Sequence, residues 1–245
     1  MVNRKHLFLV LGILFLSAGN ASAESFKEQQ LRFSRVRTAF KEKEQAAKDL
    51  FREKGISYPP REIFIRVLKK EAVLELWASN ATDFVLVKEY KICSSSGELG
   101  PKRRMGDGQV PEGFYFISHF NPESWFYLSL KVSYPNESDR ILGVRNHWSG
   151  DIFIHGNCVT IGCVPIEDEW IKELYLIAVE AKSAGQERIP VHIFPARMSG
   201  FQCEAGSNFC GFWSNMKEGF DFFEKNRRLP KISVNGKGKY IFRGD

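Results

Sequence analysis

FIHGNCVTIGCVPI, residues Phe153 to Ile166, is the stretch on which the reading of this chain turns. One histidine, two cysteines and two glycines fall between His155 and Cys163. Three chemistries fit those residue types. His155, Cys158 and Cys163 are three zinc-type ligands, with His147 or an aspartate as a fourth; Cys-x4-Cys is not a usual knuckle, however, and no second paired cluster appears. Cys158 and Cys163 could instead bridge each other and close a small turn, leaving His155 an ordinary strand-end histidine. The third chemistry is nucleophilic catalysis. A thiolate attacks and needs a nearby base or a lowered proton affinity. DIFIHG reads as a short buried strand that delivers His155 at its end. Gly162 lets the backbone turn so that the N–H groups of Gly162 and Cys163 can face a reacting carbonyl as an oxyanion hole. A helix starts near Glu167, but Glu167, Asp168 and Glu169 oppose any help its dipole would give a thiolate.

Working outward, the N-terminus addresses the compartment. Arg4 and Lys5 precede the uncharged run LFLVLGILFLSAG, and Ala21-Ser22-Ala23 follows. That is the layout of a signal peptide (residues 1–23) cleaved after Ala23, and the apolar run is short for a membrane span. Cleavage removes two cations and lowers the formal charge from +6 to +4. No dense Lys/Arg tract remains, so nucleic acid is not an expected partner. In an oxidising compartment the five cysteines, Cys93, Cys158, Cys163, Cys203 and Cys210, leave at least one unpaired. Cys203 and Cys210 are placed to close a small loop. Either Cys158 or Cys163 could pair with Cys93, and the other would be a free thiol.

Four segments are expected. After the leader, residues 24–58 form a helical arm: Ser25 to Glu28 has capping-box spacing, Phe33, Val36, Phe40, Ala47, Leu50 and Phe51 recur at helical spacing, and Gly55 ends the helix. Residues 59–197 form the main domain. EIFIRVL, AVLELWA and FVLVKEYKIC read as an antiparallel meander. SSSGELGPKRRMGDGQVPEGFYF, with five glycines and two prolines, is a long loop followed by a strand. KVSYPNESDR is strand then turn, Ile166 to Ala184 an amphipathic helix, and PVHIF a strand. Residues 198–245 add a helix over Phe212 to Lys225 and a hairpin turning at Asn235-Gly236. The fold class is α+β.

The motifs also carry a resemblance. His155-Gly156 followed by Thr160-Ile161-Gly162-Cys163 resembles the signature of the L,D-transpeptidases (YkuD-type), bacterial enzymes that cross-link peptidoglycan. PEGFY (Pro111 to Tyr115) is similar to the family's strand entry, and SYPNESDR to its Tyr-Pro-Asn segment. Ile161 stands where the family usually has a second histidine, Pro165 stands where it has an arginine, and the His155–Cys163 insert is short. Together with YKIC (Tyr90 to Cys93) and GELGPKRRMGD, these features resemble the YafK-type (DpaA-like) branch. The resemblance implies a mostly antiparallel sandwich or barrel-like catalytic domain in the periplasm of a Gram-negative bacterium. It implies Cys163 as nucleophile, His155 as general base and acid, Gly156 orienting the imidazole through its backbone, and a Cys93–Cys158 bridge beside Cys203–Cys210. It implies an amidase that frees Braun-type lipoprotein from peptidoglycan stem peptides, with transpeptidation (3-3 cross-links or lipoprotein attachment) and a non-catalytic wall-binding module as alternatives. That chemistry needs no cofactor and no metal. With Pro165 in the arginine's place, carboxylate contacts are sought at Lys102, Arg103, Arg104 and Arg140, with Tyr134 and Thr160 near the substrate. Trp125, Phe126 and Tyr127 are candidates for a groove rim.

Overall fold

The computed structural model describes residues 24–81, 83–145 and 150–244. The proposed leader and His147 lie outside those residues. Two helices open the chain, α1 (Phe26–Leu31) and α2 (Ser34–Glu53). Ser25 and Glu28 form the capping box of α1. The single helix expected here is broken, because Phe33 takes an extended backbone (φ −88°, ψ 131°) as the N-cap of α2.

Eight strands form one sheet: β1 (Glu62–Leu68), β2 (Val73–Ser79), β3 (Val85–Lys91), β4 (Gly113–Asn121), β5 (Ser129–Val132), β6 (Ile152–His155), β7 (Val164–Pro165) and β8 (Pro190–Phe194). Their spatial order is β3-β2-β1-β8-β4-β5-β6-β7. All pairings are antiparallel except β1–β8 and β6–β7. β4 passes from one half of the curled sheet to the other: residues 113–116 pair with β8 and 117–121 with β5, with a register shift between Ile117 and His119.

Both faces of the sheet are covered, which explains why EIFIRVL is apolar nearly throughout. In β1, Ile63, Ile65 and Val67 join the main core. The alternate residues Phe64 and Leu68 join two smaller aromatic clusters on the other face. The main core is sealed by α4 (Glu167–Ser183), which packs on β1, β5 and β6 and against α1 and α2. Every residue of α4 from Glu173 to Ala181 is buried, so its apolar pattern covers most of its circumference. The opposite face is covered by α5 (Cys210–Asn226) and the hairpin β9 (Lys231–Val234) and β10 (Tyr240–Arg243).

Two turns differ from expectation. The segment after β5 forms a short helix, α3 (Glu137–Leu142), because Asn136 and Asp139 cap each other's backbone. The hairpin closes through a longer loop, with Asn235 accepting from Lys237 N and Lys239 N. No helix among the described residues is long and apolar enough to cross a membrane.

Candidate active site

His155 is the last residue of β6, paired with Ser129 of β5 and Pro165 of β7. It is 1% exposed, and its ring lies on that of Phe126, with centroids 4.6 Å apart and planes 30° apart. His155 Nδ1 lies 2.5 Å from the Gly156 carbonyl oxygen. A carbonyl only accepts, so Nδ1 carries hydrogen and Nε2 is the nitrogen able to exchange a proton. Burial lowers the proton affinity of the ring, with the Gly156 carbonyl acting the other way. Gly156 has a steric reason too: a Cβ there would come within 2.9 Å of the Phe126 carbonyl oxygen.

The chain then turns through residues 157–162 and returns as β7. Asn157 sits at φ +61° and donates its N–H to Asp168 Oδ1 of α4 at 2.8 Å. Cys158 is bridged to Cys93, and Cys203 to Cys210. Cys163 is the free cysteine. A Cys158–Cys163 turn is therefore absent. Among the described residues one group resembles a metal site, Cys93, Cys158 and Glu167, but its two sulfurs are those of the bridge.

Cys163 lies beside Phe153, two positions before His155 on the neighbouring strand. Its sulfur accepts from Phe153 N at 3.4 Å and lies 3.8 Å from the Asp151 carbonyl oxygen. Burial pushes the thiol's proton affinity up; the Phe153 N–H and the Lys102 charge pull it down by less. Burial thus favours the neutral form of both the Cys163 thiol and the His155 ring. The sulfur opens on a cavity of about 200 Å³ with an apolar floor at Ile92, Val110 and Val164 and a wall formed by residues 94–99. That wall is fixed by Lys69, whose Nζ donates to the carbonyls of Glu98, Gly100 and Val110 and to Glu112 Oε1.

The other expected site residues are spread over separate places. Thr160 Oγ1 accepts from Gly162 N (3.1 Å) and Cys163 N (2.8 Å) and donates to the Cys163 carbonyl (2.9 Å). Thr160 therefore clamps the turn that leads into Cys163, and the two N–H groups expected in an open oxyanion hole are engaged in this state. Tyr134 is 7% exposed and packs against Tyr115 in the core. Arg103 faces Asp139 at 3.5 Å and the Phe212 ring, lining a different cavity with α5 and Lys237. Arg104 and Arg140 are exposed, on the loop and on α3. The cation that influences the thiol is Lys102, 3% exposed and paired with Asp107 at 2.6 Å. Asp107 also accepts the N–H groups of Arg103, Arg104 and Gln109, and the Gln109 carbonyl stands 3.0 Å from where a Gly162 Cβ would be. With Gly162 at φ +134°, only glycine fits between the two loops.

The family model of the YkuD L,D-transpeptidase catalytic domain matches residues 62–193. A relative from Escherichia coli (strain K12), described as a putative L,D-transpeptidase YafK, is 36% identical over 183 residues, 73% of each chain. The chain belongs to the L,D-transpeptidase family. Its catalytic domain is of the type that acts on peptidoglycan. Among solved structures, the helical cell shape determining protein Pgp2 of Campylobacter jejuni is similar over 71% of this chain and 73% of its own, at 16% identity and a TM-score of 0.44. Bd1075 of Bdellovibrio bacteriovorus is similar over 69% of this chain and 57% of its own, at 21% identity and a TM-score of 0.40. The match with the L,D-transpeptidase catalytic domain begins beyond α1 and α2, although both helices pack on α4.

Proposed function

We propose that this L,D-transpeptidase relative is an exported amidase that cleaves the bond between the L-centre carbonyl of meso-diaminopimelate and a lipoprotein lysine, in the periplasm of a Gram-negative bacterium. The observation that carries the enzyme reading is the unbridged Cys163, opening on a cavity, with its neighbour Cys158 locked to Cys93. The choice of hydrolysis follows the resemblance of HGNCVTIGC, YKIC and Pro165 to the YafK-type branch.

In the reaction, His155 Nε2 takes the Cys163 proton as sulfur bonds to the carbonyl carbon. The oxyanion, being charged, outcompetes the Thr160 hydroxyl for the Gly162 and Cys163 N–H groups. Collapse breaks the C–N bond, and the leaving amine receives the proton from His155. Water then attacks the thioester, gives a proton to His155, and the C–S bond breaks to restore the thiol. An amine in place of that water would give transpeptidation by the same steps.

The test is incubation of the intact, oxidised protein with lipoprotein-linked muropeptides and with tetrapeptide muropeptides, with products identified by mass. Freed lipoprotein ending in lysine is expected, and Cys163→Ala should yield none. Cross-linked dimers would replace the amidase with a transpeptidase. No product, and no iodoacetamide or carbapenem adduct on Cys163, would leave a wall-binding module.

A further inference from the structure

The N-terminal helices precede the residues matched by the family, 62–193, yet one of their side chains reaches the loop that covers His155. Arg35, in the first turn of α2, donates from Nη1 to the carbonyls of Ser124 (2.5 Å) and Tyr127 (2.7 Å). Its guanidinium carbon also stands 5.6 Å from the centre of the Tyr127 ring. Those two carbonyls bracket Trp125 and Phe126, and the Phe126 ring is the one stacked on His155. The loop gains from an outside tie. Tyr127 holds φ +73°, which is unfavourable for a residue with a Cβ, and Trp125 is 98% exposed, so it adds no packing. Within the loop, Ser124 Oγ accepts from Phe126 N and Asn121 Oδ1 from Glu123 N, both at 3.1 Å.

We propose that Arg35 is a positioning residue for the reaction: α2 acts as a strap that holds the Phe126 ring flat on the imidazole and so fixes the edge of His155 that serves Cys163. The proposal rests on His155 being the base and is indifferent to which amide is cut. Docking of the helix itself does not need Arg35. Val36, Ala39, Phe40, Ala47 and Phe51 are buried, Gln30 accepts from Tyr175, and Lys27, Lys43 and Lys172 make ion pairs between the helical arm and α4. Losing Arg35 should therefore free the loop while leaving the helix in place.

The groups able to influence the ring come from each packed element. They are Cys163 before β7, Asp168 on α4 (held by Asn157 N), and the Lys131–Asp151 pair beside β5 and β6. Lys102 lies on the far side of the thiol, and Lys172 and Glu42 lie on the Tyr127 side of the strap. Charge at these positions is unchanged in the variants below; Arg35→Ala alone removes a cation, while Phe126→Ala keeps it, so a shift of His155 titration shared by both reports water reaching the ring.

The test uses the intact, oxidised chain and its Arg35→Ala, Arg35→Lys, Phe126→Ala and double variants. Turnover on lipoprotein-linked muropeptide, Cys163 alkylation by iodoacetamide against pH, and His155 titration by NMR are measured on each. Arg35→Ala should lower kcat roughly tenfold with KM little changed, the size expected of a loosened catalytic group. It should also move the His155 titration up toward the ordinary histidine value. Phe126→Ala should do the same, the double variant should be no worse than either, and Arg35→Lys should restore most of the rate by reaching the same carbonyls. A lowered melting temperature with unchanged titration and kcat would overturn the strap, as would fully additive effects of Arg35→Ala and Phe126→Ala. If His155→Ala itself leaves alkylation and turnover unchanged, it is the assignment of the base that fails.

Discussion

Among the described residues two histidines are buried, and their surroundings differ in what they allow. His155 closes the short strand β6 and is 1% exposed; His192 sits in the middle of β8 and is 4% exposed. Both have lowered proton affinity, caused first by burial. Both touch aromatic rings, His155 that of Phe126 and His192 those of Phe64, Phe114 and Phe194. There the likeness ends. At His155 one nitrogen is fixed by Gly156 and a free thiol lies two positions away on the next strand, at the mouth of a cavity. At His192 the neighbouring polar group is Arg66, already engaged by Glu75 and Glu224 at 2.6 Å each. Burial and a shifted proton affinity are thus shared by a site and a core. What separates them is an unbridged thiol on an open cavity.

Exchanging each histidine for glutamine should break the resemblance most sharply. His155→Gln should lower turnover about 10²- to 10⁴-fold, the range for losing a general base, with little change in melting temperature. His192→Gln should do the reverse: stability falls by about 1–3 kcal/mol as an amide is left among aromatic rings, while the folded protein turns over normally. A His192→Gln enzyme that is stable but slow would show that the core histidine has a catalytic part.

Acid separates two buried groups on the same side of the molecule. Burial, with help from the Arg66 charge, holds His192 down at about 3, against 6.5 for an ordinary histidine. Between those values the unfolded chain binds the extra proton, so stability falls as pH drops, by about 1.4 kcal/mol per unit. Asp139 has the opposite sign. Burial raises it from 3.8 to about 6, against the pull of Asn136 N and Tyr115 OH. Between those values the folded protein binds the extra proton, and stability rises as pH drops. The two slopes should nearly cancel from pH 6 to 4, leaving urea midpoints almost level there for these groups. Asp139→Asn should uncover the His192 slope, a difference of about 3 kcal/mol across the window. Parallel profiles for the two proteins would remove one of these assignments.

The legibility of the molecule follows the same division. The core strands could be read because Ile63, Ile65 and Val67 repeat with period two while Phe64 and Leu68 fill the other face, a pattern local to seven residues. The free thiol Cys163 and His155 stand out because they lie eight residues apart in one motif. The break at Phe33 could not, because helical spacing continues across it and only the backbone of one residue departs. The expected substrate-contact residues are scattered in the structure for a related reason. Lys102, Arg103 and Arg104 are adjacent and alike in charge, and only the turn around Asp107 decides that Lys102 is buried toward the thiol while Arg103 meets Asp139. Arg35 is 120 residues from His155 in the chain, and its part depends on two backbone carbonyls, which carry no sequence signal.

Thr160 offers the finest test of the contrast between the two regions. Around His192 the backbone is held by ladders to β1 and β4 on both sides, so no one side chain keeps it in place. Around Cys163 side chains take that part: Asp168 holds Asn157 N, and the Thr160 hydroxyl satisfies two N–H groups and one carbonyl at Gly162 and Cys163. Thr160→Val keeps the shape and deletes all three bonds. Freed N–H groups would be open to the oxyanion, but the loop that aims them would lose the side-chain clamp next to Cys163. Loss of aim should win, with turnover down about tenfold and Thr160→Ser close to the parent. A Thr160→Val enzyme faster than the parent would mean that the hydroxyl competes with the substrate more than it organises the loop, and the two histidine regions would then differ less in how they are held than in what they expose.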